Sequence, residues 1–346
     1  MSGRRILPVV SAAVAVSAAL AVGCSSPGTP SGGGEEPTAS AVDAVRGGSA
    51  PGTASPPYWV DPESDAARQV RAWKEAGRLK DAKLLERIST HPVADWPAGD
   101  DPEPDVRTAI EGASASHESV LFVAYNIPHR DCGAYSAGGA PDAQAYRAWT
   151  ERFAGAIGDA PATVVLEPDA VAHVVDGCTP PENHAERLDL LAGAVDTFKA
   201  RPGTKVYLDA GNPDWLADPA KLVEPLHRAG VDRADGFSLN VSNFQTDETV
   251  KAYGDRLSAL LGGAHYVIDS SRNGRGPLVG GRSEAWCNPP GRALGTPPTT
   301  DTGDERLDAY LWIKRPGDSD GPCRGGPAAG TWWPGYALGL ARAAGS

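Results

Sequence analysis

Two apolar runs in this chain end in the same way. Val123-Ala-Tyr-Asn-Ile-Pro-His-Arg-Asp131-Cys132 and Val164-Val-Leu-Glu-Pro-Asp169 each begin as a buried parallel strand would, break at a proline, and deliver an aspartate just past the break. The pattern returns at Val206-Tyr-Leu-Asp209, Val267-Ile-Asp269 and Leu311-Trp-Ile-Lys314, the last with Asp318 and Asp320 behind it. Segments of helical period separate these runs. A chain that alternates strand and helix lays its strands parallel and joins them by right-handed crossovers. Carboxyl groups at the C-terminal ends of successive parallel strands converge on one rim when the sheet closes. The spacing predicts an α/β fold, a β/α barrel of about seven parallel strands, one short of the usual eight.

The expected elements run as follows. A first short strand lies at 56–61, and Ser64 caps a helix that continues to Gly77, burying Ala67, Val70, Ala72 and Trp73. A second short helix follows at 80–89, then a strand at 120–125 and a Gly-rich loop at 126–141. Helices are expected at 142–158, 184–200, 218–229, 247–261 and 336–344, and strands at 163–166, 205–208, 236–239, 266–268 and 310–313. Residues 270–304 form a long loop dense in Gly and Pro. In such a barrel the loops that follow strands build the active face.

Not all of the 346 residues belong to that domain. Residues 1–24 read as an export signal: Arg4 and Arg5 precede an apolar Ala/Val stretch too short and too interrupted to span a membrane. The stretch ends at Ala21-Val-Gly-Cys24, which resembles a bacterial lipobox with Cys24 as the lipidated residue. The alternative is an ordinary signal peptide with an incidental Cys, and the odd cysteine count favours the first reading. Residues 25–54 are Gly, Ser, Pro, Thr and Ala with little to bury, and read as a flexible tether. That leaves 55–346, about 290 residues, enough for one large catalytic domain.

The formal charge of −12 argues against nucleic acid as a partner. With Cys24 set aside, Cys132, Cys178, Cys287 and Cys323 form an even set in an exported chain. Four cysteines allow three pairings. Sequential pairing closes two loops of moderate length, each worth about 4 kcal/mol on the chain-entropy account. No Cys-x-x-Cys and no His at zinc-ligand spacing is present, so neither a metal nor a cofactor is expected.

Repeated carboxyls suit acid/base chemistry, of which glycoside hydrolysis is the best-known user. Cleaving a glycosidic bond needs a carboxylic acid kept protonated near neutral pH. Asp169 is the candidate acid, because it sits among apolar residues, and Asp131 is the neighbour whose charge would penalise its ionisation. Each could alone be an ordinary turn residue; five strand ends in one chain argue otherwise. Sugar faces stack on flat rings, and Trp96, Trp215, Trp286 and Tyr125 fall in or beside the loops, whereas Trp73 and Trp149 lie on helices and read as core. Trp332 and Trp333 fit either role, core more readily. Lys314 could bond sugar hydroxyls or pair with Asp318 or Asp320. His129 and His173 have no evident nucleophile partner, and no Gly-x-Ser-x-Gly exists, which excludes the usual serine-hydrolase elbow. Gly274-Arg-Gly-Pro-Leu-Val-Gly280 is too loose for a dinucleotide loop.

At these residues the chain resembles glycoside hydrolase family six, the family of cellobiohydrolases and endo-1,4-β-glucanases. The resemblance runs from Tyr58 to the C-terminus. It is carried by Tyr125-Asn-Ile-Pro-His-Arg-Asp131-Cys132, Leu166-Glu-Pro-Asp169, Tyr207-Leu-Asp-Ala-Gly211, Asp269-Ser-Ser-Arg-Asn-Gly274, Trp286-Cys-Asn-Pro-Pro-Gly-Arg-Ala-Leu-Gly295 and Trp312-Ile-Lys314. It implies a distorted β/α barrel of about seven strands and an inverting mechanism. By the same resemblance Asp169 is the general acid, Asp131 supports it and helps organise the water, and Asp320 is the proposed base, an assignment disputed within the family. Tyr125 lies under the distorted sugar, and Asp209, Lys314, Trp96, Trp215 and Trp286 contact substrate; Asn212, Asn243 and Asp318 are placed with these substrate-binding positions. The disulfides implied are the sequential pair, Cys132–Cys178 and Cys287–Cys323. Two positions depart from the pattern: Asn212 stands where the family has His after Asp-Ala-Gly, and Asp318 stands where it has Glu, with Arg315 altering the residues before it.

The reading is an exported, lipid-tethered, monomeric endo-β-1,4-glucanase acting on β-glucan, touching the membrane only through its N-terminal lipid. A cellobiohydrolase is the alternative of the same class; the compact domain favours an open cleft over a loop-roofed tunnel. A glycan-binding lipoprotein that has lost catalysis is the alternative of another class, against which Asp131, Asp169 and Asp320 stand together.

Overall fold

Each apolar run from Val120 onward forms a strand in the computed structural model, which describes residues 58–280 and 284–344. The strands are β1 (Val120–Ala124), β2 (Ala162–Leu166), β3 (Thr204–Asp209), β4 (Gly236–Leu239), β5 (His265–Asp269) and β6 (Leu307–Leu311). They make one six-stranded sheet in sequence order, every neighbouring pair parallel. The segments read as export signal and tether, with Cys24, lie outside the described residues. All described residues belong to one unit, Thr53–Ser346.

The sheet has six strands where about seven were expected. The segment read as a first strand contributes one bridge, Tyr58 to Ser119. Pro56, Pro57 and Pro62 around it have no N–H to give a ladder. Another short segment joins the two outer strands instead. Ala94 donates to the Trp312 carbonyl (3.0 Å) just beyond β6, Asp95 donates to Leu121 (2.9 Å) on β1, and Val123 donates back to Asp95 (2.8 Å). Two residues are too short a run to show a strand period. The last strand begins earlier than expected, at Leu307, and ends at Leu311.

The helices are α1 (Asp65–Glu75), α2 (Leu79–Ser89), α3 (Glu103–Ser114), α4 (Ala143–Ile157), α5 (Ala172–Val175), α6 (His184–Lys199), α7 (Ala220–Arg228), α8 (Asp247–Leu260) and α9 (Pro334–Ala343). Ser64 caps α1 as expected, its hydroxyl accepting from Ala67 N–H. Ala66, Val70 and Trp73 form the buried side; Ala72 faces outward, because Ala66 is the residue one turn before Val70. Helix α3 was not anticipated. Its buried face is Val106, Ala109 and Ala113, too weakly apolar to signal itself. Gly112 in it lets Trp59 pack flat: a Cβ there would meet the indole at 2.4 Å.

Alternation along the strands divides the interior in two. Phe122, Val164, Leu166, Val206 and Leu208 point to the helices, while Leu121, Val123, Val165, Tyr207, Val267 and Leu311 line the inner face. Both faces are covered, so the strands read as unbroken apolar runs. Phe153 on α4 is the hub of the helical side, edge-on to Phe122 (5.4 Å), Trp149 (5.3 Å) and Phe198 (5.3 Å). Phe153→Ala should therefore cost about 3–5 kcal/mol of unfolding free energy, read from urea denaturation, and Phe153→Leu clearly less.

Candidate active site

The rim at the C-terminal strand ends is assembled by carboxylates that accept backbone N–H groups. Glu167, directly after β2, is fully buried. Its oxygens take the N–H groups of Asn126 (2.9 and 3.1 Å) and Ile127 (3.0 Å) in the loop after β1. Asp209, the last residue of β3, accepts from Asp169 N–H (2.9 Å), Gly211 N–H (3.1 Å) and the Ser238 hydroxyl (3.3 Å). Asp269, ending β5, accepts from Ser242 (3.0 Å), Ser271 (3.0 Å), Ile313 (3.2 Å) and Lys314 (3.0 Å). Each thus ties its own strand end to the loops beside it.

Asp169 sits on this frame in left-handed backbone (φ 71°), as does Glu167 (φ 50°), on either side of Pro168. Such angles are strained for non-glycine residues, and the two carboxylate anchors hold them. Loss of water pushes the Asp169 carboxyl well above the usual range, and the charges of Asp209, Asp131 and Asp176 push it further, with Lys314 opposing. Burial and a neighbouring Asp131 were the expected causes; Asp209 now stands ahead of Asp131. Burial also lifts Asp209 to about 6, against the N–H groups it accepts.

Asp131 lies in a turn with His129 (φ 55°) and Cys132 (φ 47°), itself at φ 54°. Its carboxylate accepts from Ser136 N–H at 2.5 Å. Arg130 braces this turn: it donates to the carbonyls of Tyr125 (2.6 Å) and Ser136 (2.8 Å) and lies 4.8 Å over the Tyr125 ring. Tyr125 in turn meets the edge of Trp96 at 5.6 Å, and the Trp96 indole donates to the Ile313 carbonyl (2.9 Å). Tyr125 and Trp96 are thereby brought together beside the β1 and β6 ends.

Asp320 is buried against Arg272, whose Nη1 reaches both its oxygens at 2.9 Å, and it accepts from Asn288 N–H (2.9 Å). Burial alone would raise its pKa, but Arg272 and Lys314 more than offset this and hold the carboxyl below its ordinary value. Lys314 Nζ lies 3.5 Å from Asp320, and its charge also reaches Asp169. Lys314 therefore links the candidate acid to the candidate base.

The remaining expected residues are more spread out. Asn212 is buried and its side-chain oxygen accepts from the N–H groups of Asp214 (3.1 Å) and Trp215 (3.2 Å), so it shapes the turn that carries Trp215. Trp215 donates to Asp176 (3.0 Å) and packs on His173 (5.1 Å). The Asn243 side-chain oxygen is engaged by Phe244 N–H (2.8 Å). Asp318 is buried, paired with Arg315 at 2.7 Å, and lines a cavity of ≈ 210 Å³ with Asp61, Asp95 and Trp332. Trp286 is exposed and lies 6.0 Å from Tyr135, which reaches over from the loop after β1. Trp73 and Trp149 are core, as expected. Both sequential disulfides form, with Cα separations of 6.2 Å (Cys132–Cys178) and 6.3 Å (Cys287–Cys323). The first ties the Asp131 turn to the segment after Asp169; the second ties the Trp286 loop to the Asp320 loop.

Glu167 and Arg272 were missed as site residues, although both stand inside the motifs quoted above. The available signal was a charged residue adjoining an apolar run, which must find a partner if the run is buried.

The profile of Glycosyl hydrolases family 6 matches residues 53–344, and the chain belongs to that family. It is 40% identical to Endoglucanase A of Cellulomonas fimi over 82% of this chain and 61% of that protein, so the chain spans about three fifths of that relative. It is 41% identical to Endoglucanase 1 of Streptomyces halstedii, over 82% of this chain and 88% of that one. Among solved structures it is similar to the endoglucanase Cel6 of Mycobacterium tuberculosis in complex with methyl-cellobiosyl-4-deoxy-4-thio-β-D-cellobioside. That likeness has 43% identity and a TM-score of 0.77, and covers 85% of this chain and 99% of that one.

The buried carboxyls set a pH dependence of stability. Burial raises Glu167 to about 7 and Asp209 to about 6. Groups raised in this way stabilise the fold fully below their unfolded values, and that stability is lost as pH rises through the folded values. Asp304 is held at about 2 by Lys251, and its contribution is lost only as pH falls toward that value. Thermal melts should therefore show a maximum at mildly acid pH, near 4 to 5, and a decline toward about 7. Asp209→Asn should flatten that decline.

Proposed function

We propose that this chain hydrolyses internal β-1,4 bonds of a β-glucan with inversion, Asp169 giving its proton to the leaving oxygen. The observation that carries the reading is the contrast in surroundings of two carboxyls: Asp169 stands on the Asp209 carboxyl, which takes its N–H at 2.9 Å, whereas Asp320 is buried against Arg272, whose Nη1 reaches both its oxygens at 2.9 Å. Desolvation and the charges of Asp209 and Asp131 push Asp169 toward its protonated form, while Arg272 and Lys314 hold Asp320 toward its charged form. Inversion also needs a water between acid and base, on the far face of the sugar. In this reading Asp131 supports the acid and helps hold that water. Asp320 receives the water's proton or, because its pairing with Arg272 makes it a weak base, draws it through the water network. Trp96 and Tyr125 form a corner for the sugar at the cleavage point, Lys314 bonds hydroxyls beside it, and Trp215 and Trp286 offer ring faces to further sugars. The likeness to proteins named endoglucanases supports internal cutting. Two disulfides suit an exported protein. Residues 1–24 as a lipoprotein signal with Cys24 as anchor, 25–54 as tether and the domain as a monomer complete the proposal.

Soluble carboxymethyl-cellulose separates the modes. A rapid viscosity drop relative to new reducing ends is expected; a slow one means end-wise action, and no change leaves only binding. Asp169→Asn should remove most turnover on glucan, with binding retained and a dinitrophenyl glycoside partly spared, because a good leaving group needs less protonation. Equal loss on both substrates would count against Asp169 as the acid. Proton NMR of fresh products should show the α-anomer first; the β-anomer first would mean a covalent intermediate.

A further inference from the structure

We infer that Glu167 is a positioning residue for the proposed acid, clamping the loop after β1 onto the loop that carries Asp169. The inference rests on the function proposed above. Glu167 stands two residues before Asp169, and its side chain crosses to the neighbouring strand end. There it accepts the N–H groups of Asn126 and Ile127, while its own N–H donates to Ala124 (2.8 Å). The same loop is held from its other side by Arg187 of α6, also buried, whose Nη2 donates to the carbonyls of Pro128 (3.1 Å) and His129 (3.1 Å). A buried anion thus grips the amides of this stretch and a buried cation grips its carbonyls. The peptide between them leads directly into Arg130 and Asp131.

A buried carboxylate is costly unless its oxygens are bonded, and here the Asn126 and Ile127 amides engage both of them. Bonds to a charged acceptor are short and strong, and they exact a fixed geometry. The left-handed backbone at Glu167 and Asp169 would otherwise relax. Releasing the clamp lets the Tyr125–Asp131 arm drift from Asp169. Water then enters and the acid's proton is more easily lost. The groups that face Glu167 are Arg130 and Tyr125 from the loop after β1, Tyr146 from α4 and Arg187 from α6. Burial lifts Glu167 to about 7, so the clamp gains its full charge as pH rises through the neutral range.

Glu167→Gln keeps the shape but offers one acceptor oxygen and no charge. At pH 7 its kcat on glucan, per folded molecule, should fall at least about tenfold, with KM changed less than about threefold. The wild-type to variant kcat ratio should grow as pH rises through the neutral range. Amide hydrogen exchange at Asn126 and Ile127 should accelerate, with the sheet unaffected. A variant that only melts earlier, with kcat within twofold, a pH-independent ratio and protected amides, overturns the inference. If wild-type turned over no β-1,4-glucan, the proposed function would fail by itself. Exchange at Asn126 and Ile127 would then decide the clamp alone, loss of protection supporting it and unchanged protection refuting it. Should Glu167→Gln not fold, Arg187→Lys carries the same test, because it keeps the charge and removes the Nη2 that reaches both carbonyls. The same kcat loss with unchanged KM is expected, and unchanged kcat refutes the clamp.

Discussion

The rim of the candidate site depends on carboxylates buried at the ends of parallel strands. A parallel sheet stops somewhere, and the N–H groups just past the last rung need acceptors. Here Glu167, Asp209 and Asp269 supply them: Glu167 serves the loop after β1, and Asp209 and Asp269 each serve segments from more than one strand. The irregular peptide at the rim is thereby bonded to the strand ends beneath it. This allows strained residues such as Glu167 and Asp169 to persist without glycine.

The same groups set the electrostatics. Three carboxyls crowded against Asp169 make its ionisation costly, whereas a single guanidinium, aimed at both oxygens of Asp320, makes that carboxyl an anion. The contrast comes from neighbours rather than from residue type, since both are Asp near strand ends. The charge of Lys314 reaches both. Family membership agrees with this arrangement, and the residue roles drawn from it are those of the proposal.

The chain's own pattern carried much of the architecture. Apolar runs ending at Asp located the parallel strands from β1 onward to within a few residues, and helical periods located α4, α6 and α8. What failed were elements whose signal is not periodic. The two residues at Ala94 and Asp95 that join the outer strands have no length to show alternation, and α3 buries alanines that look like any small residue. The proline-flanked segment at Tyr58 looked like a strand by composition and could not offer the N–H groups of one.

For the site, sequence alone determined which chemistry was available: repeated carboxyls after strands, a set of loop tryptophans, and an even set of four cysteines beyond the N-terminal segment. The order of residues along the chain made these inevitable wherever the strands lay parallel. Tertiary structure alone decided what each group does. It turned Asp209 inward to hold Asp169 N–H, buried Asp318 against Arg315, joined Trp96 to Tyr125 across the sheet edges, and revealed Glu167 and Arg272 as anchors. A carboxyl's charge and reach depend on partners that lie tens of residues away in sequence, and only folding brings those partners within hydrogen-bond distance.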